Sequence, residues 1–234
     1  MNDKLLDGVI FDFNGVLLWD NYLHEAAWRR ISTRLRGRPM SDDEMKTEVH
    51  GRVNRDIFSY VLGREVADDE LQPLIDEKEA FYRRLALESG DAYHLSPGAV
   101  DLLDFLVAND IPRAIATSSP GVNVTFFIEQ LDLRRWFTTE TIIYDRNLYP
   151  GKPAPGIYLE AAERLGAPPE RFVVVEDASA GIRSANAAGI GAIIAIGSAD
   201  AQTSLAALPG VDAVIATLEQ FPRTLLAGAL EEIR

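Results

Sequence analysis

A chain of 234 residues, 47% hydrophobic and 25% charged, can bury one large core or a core with a smaller insert, which fits a globular protein rather than a disordered chain. Its formal net charge of −13 argues against nucleic acid as a partner, while a small anionic ligand stays open because a bound metal can reverse the sign of a pocket. Cysteine is absent, which removes disulfides, thiolate catalysis and cysteine metal sites.

The opening residues, MNDKLLDG, hold no apolar stretch of the kind found in secretory signals. The longest apolar run, Ala187 to Ile196, is Gly-rich and falls short of the ~20 residues that span a bilayer. A soluble cytoplasmic protein with no membrane partner is expected, and a monomer is favoured.

The first buried strand is predicted at Gly8–Phe13. Helical patterns alone fill the stretch from Asn21 to His94. Trp28, Ile31 and Leu35 form one apolar stripe, Ser41 and Glu44 have the spacing of a capping box, and Leu71, Leu74, Ile75, Lys78, Tyr82 and Leu85 share a longer stripe. Such a block is too long for a loop, so residues 21–94 are expected to form an inserted helical domain, with residues 1–20 and 95–234 as the core. Further strands are predicted at Arg113–Thr117, Thr141–Tyr144, Phe172–Glu176, Ala192–Ile196 and Ala213–Ala216. Helices are predicted at Pro155–Leu165 and Ala180–Ala188, with Gly166 and Gly189 as stop signals. Strands apolar on both faces, alternating with helices, predict a doubly wound parallel α/β sheet. There is no internal repeat.

Ligands of open α/β sheets bind beyond the carboxyl ends of the strands. Four predicted strand ends carry Asp12-Phe13-Asn14-Gly15, Thr117-Ser118-Ser119, Lys152 within GKPAP, and Glu176-Asp177. Together they supply the parts of a phosphoryl-transfer site. A carboxylate can act as nucleophile, hydroxyls and an ammonium can hold phosphoryl oxygens, and hard oxygen ligands from Asp12 and Asp177 suit Mg²⁺. Taken singly, each motif has an ordinary reading as a turn, a loop, a solvated lysine or a helix-dipole partner. Four such motifs at strand ends, in this order, favour the site.

FDFNGV, ATSS, GKPAP and VVVEDASAGI resemble, in order, the four motifs of the haloacid-dehalogenase-like superfamily. Within it they resemble the β-phosphoglucomutase-like phosphatase branch, whose helical cap lies between the first two motifs. The resemblance implies Asp12 as nucleophile and Mg²⁺ ligand. It implies further metal ligands in the Asn14 backbone carbonyl and Asp177, with Glu176 in or beside the shell. It implies phosphoryl binding by Thr117 and Lys152, aided by backbone near Phe13, Asn14 and Ser118, with Ser119 adjacent. His24 and the cap segment HGRVNR, with Gly51 and either Arg52 or Arg55, match substrate-binding positions. His24 also shares a face with Trp28 and Ile31, as a buried structural histidine would, and Asn54 would cap a helix start. The substrate implied is a small phosphorylated metabolite.

Three positions depart from that pattern. The family usually has Asp where this chain has Asn14, and reads Asp-Ser where this chain has Trp19-Asp20. A carboxamide does not shuttle protons, and losing a positioned acid–base group costs about 10²–10⁴ in rate. Three readings follow: a phosphatase whose leaving group needs no proton, a phosphatase using Asp20, His24 or His50 as the acid, or a fold that binds a phospho-ligand or protein with little chemistry. A sugar phosphomutase would suffer most. Lys46 and Lys78 show no distinctive context, which argues against the dehalogenase and phosphonate-hydrolase branches.

Overall fold

The computed structural model describes residues 5–227. Six parallel strands, β1 (Gly8–Phe11), β2 (Arg113–Pro120), β3 (Ile142–Asp145), β4 (Phe172–Glu176), β5 (Ala192–Ile196) and β6 (Val211–Ile215), form one sheet in the order β3-β2-β1-β4-β5-β6. Period-2 alternation divides their side chains between two buried layers. Val9, Phe11, Val173, Val175 and Ile194 face one layer, while Ile10, Phe172, Val174 and Ile193 face the other. The first layer is closed by α5 (Ala99–Ala108) and α6 (Gly121–Gln130). The second is closed by α7 (Gly156–Leu165), α8 (Ser179–Ala187) and α9 (Ala199–Ala206). The doubly wound sheet expected from the sequence is the one observed.

Four helices between β1 and α5 make the cap: α1 (Asn21–Arg36), α2 (Asp42–Glu44), α3 (Asn54–Leu62) and α4 (Asp68–Glu88). They bury their own apolar cluster, built on Trp28, Ile31, Met45, Ile57, Phe58 and Leu71. The capping box is present, with Ser41 Oγ accepting from the Glu44 N–H and Glu44 accepting from the Ser41 N–H. It opens a single α-turn that continues as a π-turn over Met45–Val49. No helix among the described residues is long and apolar enough to cross a membrane.

Three strand boundaries differ from the sequence reading by two residues or more. β1 stops at Phe11 because the chain turns sharply at Gly15 (φ +84°) into a small flap, where Asn14 bridges Leu18 and Leu18 bridges Leu95. β2 runs on to Pro120, so Ser118 and Ser119 sit in a strand with a register shift, the Ser119 N–H turned onto the Thr117 hydroxyl. β6 begins two residues early, at Val211, because the Asp212 carboxylate accepts the Ile193 N–H across the sheet edge. A charged residue in that role masks the apolar alternation.

Candidate active site

Strand order reverses beside β1, since β2 and β3 lie to one side and β4 to β6 to the other. The crevice at the carboxyl ends of β1 and β4 is therefore a topological switch point, the preferred ligand position in such sheets. Asp12 leaves β1 there and Glu176-Asp177 leave β4. Lys152, fully buried, donates to Asp12 Oδ1 at 2.8 Å and to Glu176 Oε1 at 2.7 Å. Glu176 also accepts from the Tyr158 hydroxyl at 3.0 Å and from the Ala178 N–H at 2.8 Å, so it orients Lys152 from beneath. Asp177 accepts from Asn21 Nδ2 at 3.0 Å.

Oxygen atoms of Asp12, Glu176 and Asp177 lie within 4.8 Å of one another. Burial pushes the Asp12 carboxyl up to about 7, with Glu176 adding to the rise and Lys152 opposing it. Burial, followed by Glu176 and Asp12, holds Asp177 well above the usual carboxylate range. For Lys152, burial acts downward, but the two carboxylates outweigh it and keep the ammonium charged. One ammonium facing three carboxylates leaves an excess of negative charge that a hard dication would neutralise, and all the donors are oxygen, so these residues fit Mg²⁺. Gly15 supports the arrangement, since a Cβ there would run into the Asp177 carboxylate.

Asn14 stands over this cluster in an oriented amide network. Its Oδ1 accepts from Ser119 Oγ at 2.8 Å and from Thr117 Oγ1 at 3.4 Å, and its Nδ2 donates to Asp20 Oδ2 at 2.8 Å. The Ser119 and Thr117 hydroxyls donate to the amide oxygen, which turns the amide nitrogen to the Asp20 carboxyl. Asp20 is buried and also accepts from the Tyr82 hydroxyl, while its Oδ1 has no partner among the described residues. Ser118 reaches the cap instead, donating to the Gly51 carbonyl at 2.9 Å. Gly51 (φ +76°) lies so close to Ala178 that a Cβ would meet its methyl group at 2.9 Å. Phe13 turns its ring into the core, stacked on Phe127 with centroids 4.5 Å apart, leaving only its backbone toward the site.

The cap closes a chamber of about 70 Å³ over Asp12, Asn14, Thr117 and Asp177. His24, Trp28, His50, Arg52, Asn54 and Lys78 line its cap side. Arg55 turns away to pair with Asp68, which leaves Arg52 as the arginine at the site. Asn54 does not cap its helix. It is buried and donates to Glu79 at 2.8 Å.

A family model described as haloacid dehalogenase-like hydrolase matches residues 6–189. The chain belongs to the haloacid dehalogenase-like hydrolase family. It is 30% identical to the phosphorylated carbohydrates phosphatase of Thermotoga maritima, over 79% of this chain and 82% of that one. It is 31% identical to hexitol phosphatase A of Escherichia coli, over 93% and 94%. A crystal structure of a family IA, variant 3 hydrolase from Entamoeba histolytica superposes with a TM-score of 0.84 at 35% identity, covering 96% of this chain and all of that one.

In this hydrolase the expectation for Lys78 needs correction. It has a highly specific setting: buried on α4, its Nζ is 2.9 Å from His24 Nδ1 and 3.1 Å from both oxygens of Glu79. Burial lowers its pKa and Glu79 opposes that shift. Glu79 in turn accepts from Asn54 and from Asn123 of the core at 2.6 Å, so this buried network ties cap to core. His24 stacks on Tyr82 with centroids 3.9 Å apart, and its Nε2 lies 3.4 Å from Asp20. Sequence reading missed Glu79, Asn123, Asn21 and Tyr82. The one available signal was a charged Lys78-Glu79 pair on the apolar stripe of α4.

Proposed function

We propose that this hydrolase cleaves small organic phosphate monoesters with Mg²⁺ as cofactor, through a phosphoryl-aspartate on Asp12. The carrying observation is the cluster of Asp12, Glu176 and Asp177 at the switch point, with Lys152 bonded to the first two and with Asp12 and Asp177 lining one chamber with Thr117 and Ser119. The relatives named for phosphorylated carbohydrates and hexitols support a small phosphorylated metabolite as substrate. Residues 21–94 serve as cap and residues 1–20 and 95–234 as core, a division supported by the separate apolar cluster of the cap.

Asp12 attacks phosphorus and the ester oxygen leaves with its electron pair. Lys152 and Thr117 hold the phosphoryl oxygens, and the backbone of Phe13, Asn14 and Ser118 assists. Asp12 and Asp177, with the Asn14 carbonyl, would hold the ion, while Glu176 positions Lys152. The ion supplies charge neutralisation, so that the anionic nucleophile can approach the phosphate dianion. The Asn14 amide orients Thr117 and Ser119 but carries no transferable proton. Asp20 stands behind it and outside the chamber, whereas His24 and His50 line the chamber wall. Protonation of the leaving oxygen and activation of water are therefore the slow parts, and turnover on ordinary esters is low.

Incubation with Mg²⁺ and an activated aryl phosphate, followed by peptide mass spectrometry, tests this. A phosphate adduct on Asp12 that accumulates because its hydrolysis is slow is expected. Absence of both adduct and turnover, in the wild type and in Asn14→Asp alike, would overturn the enzymatic reading.

A further inference from the structure

Beside the catalytic chamber lies a second and much larger groove, of about 690 Å³, between the cap and the β5–α9 side of the core. The inner chamber is far smaller, at about 70 Å³, and suits a phosphoryl group and its first carbon atoms. Asn21, His50 and Asp177 line both spaces, so the groove adjoins the catalytic chamber across these three side chains. A phosphate held on Asp12 and Lys152 leaves the rest of its ester to extend past those three residues.

The groove is mostly apolar. Ile196, Ala201 and Leu205 form its floor, and Trp19 and Tyr22 stand at its wall. Both rings are large and open to solvent, Trp19 at 45% and Tyr22 at 55% exposure, and neither stacks on another aromatic ring among the described residues. A polyol carries a hydroxyl on every carbon and would strip those groups of water against this wall without replacing their hydrogen bonds. A flat ring gains from the same wall through stacking and burial. Lys46, Ser179 and Ser198 edge the groove with donors suited to ring nitrogens or carbonyls. The volume is that of a nucleoside-sized ligand site.

Resting on the phosphatase reading above, we propose that the preferred substrate is a phosphomonoester whose alcohol ends in a planar heteroaromatic ring, seated against Trp19 and Tyr22.

Steady-state kinetics on adenosine 5′-monophosphate and sorbitol 6-phosphate, in the wild type and in Trp19→Ser, test the inference. The expected result is a higher kcat/KM for the ring-bearing ester and a KM for it that rises roughly tenfold in Trp19→Ser, in line with stacking energies, with the polyol ester shifting much less. Equal preference for the two esters, or equal effects of Trp19→Ser on both, overturns the ring site and leaves the phosphatase reading standing. If neither ester turns over, the aryl-phosphate labelling above decides the phosphatase reading, and tryptophan fluorescence with adenosine alone decides the ring site. Trp28 lines the catalytic chamber, so quenching that is present in the wild type and lost in Trp19→Ser is the signal of the ring site, and its absence at millimolar adenosine overturns the inference. Light scattering covers the other occupant: a dimer that Trp19→Ser converts to monomer would mean that a second copy of the chain fills the groove, and would also overturn it.

Discussion

At Asn14 the amide is matched to its neighbours atom by atom, with Nδ2 facing the Asp20 carboxylate and Oδ1 facing two hydroxyls. Replacing it by Asp alone sets two carboxylates 2.8 Å apart in a buried place, where they cannot both ionise. The reciprocal exchange, Asn14→Asp with Asp20→Asn, restores a donor on the opposite side. That double variant is expected to exceed wild-type kcat by about 10²-fold or more. Asn14→Asp alone should gain less and lose the gain with pH differently, as pH–rate profiles of the three proteins will show. Lys152 sits at the other extreme of burial and pairing. Lys152→Met strands Asp12 and Glu176 and is expected to lower stability by about 3–5 kcal/mol at neutral pH, measured by denaturant titration. Most of that loss should disappear at low pH, where the carboxylates take up protons instead. The motifs around Asp12, Lys152 and Asp177 were legible because strand ends announce themselves in apolar patterning. Lys78 and Glu79 were not, because a buried ion pair on a helix reads the same as a solvated one until its neighbours are known.

At the scale of elements, α1 to α4 hold together through a cluster separate from the two layers flanking the sheet. Phe58 is fully buried in it and packs edge-on to Trp28 at 4.8 Å. Phe58→Ala is expected to cost about 3–5 kcal/mol, concentrated in the cap. Amide hydrogen exchange should then show lost protection across α1, α3 and α4 with β1 and β4 still protected. Uniform loss over both would mean that cap and core unfold as one unit through the Glu79–Asn123 connection. The extent of the helical block was readable from periodicity, since its stripes recur at helical spacing. Its docking was not, because contacts such as Gly51 on Ala178 and Ser118 on the Gly51 carbonyl join residues far apart in the chain.

For the whole molecule, excess negative charge at one point of the fold links metal, proton and stability. In the metal-free protein Asp12 keeps a proton up to about pH 7 that the unfolded chain gives up near 3.8. Between those values the folded state binds more protons, so this group lowers stability as pH rises and adds stability as pH falls. Saturating Mg²⁺ displaces that proton. Thermal melts should therefore show Mg²⁺ raising Tm more at pH 8 than at pH 5, and the metal-free Tm falling across pH 4 to 7 relative to the Mg²⁺ form. Calorimetric titration should show Mg²⁺ affinity dropping about tenfold per pH unit below 7 for each proton released. An equal Mg²⁺ effect at both pH values would remove Asp12 from the metal site.

By itself the sequence determined the sheet, the helical block and the residues at the strand ends. These follow from local periodicity and turn chemistry, which act over a few residues. Tertiary structure alone decided what surrounds Asn14, which arginine faces the chamber, and that Lys78, Glu79 and Asn123 form one buried network. Hydrogen-bond and ion-pair partners as far apart in the chain as Asp12 and Lys152, or Asn21 and Asp177, are chosen by how layers pack. No local pattern carries that information.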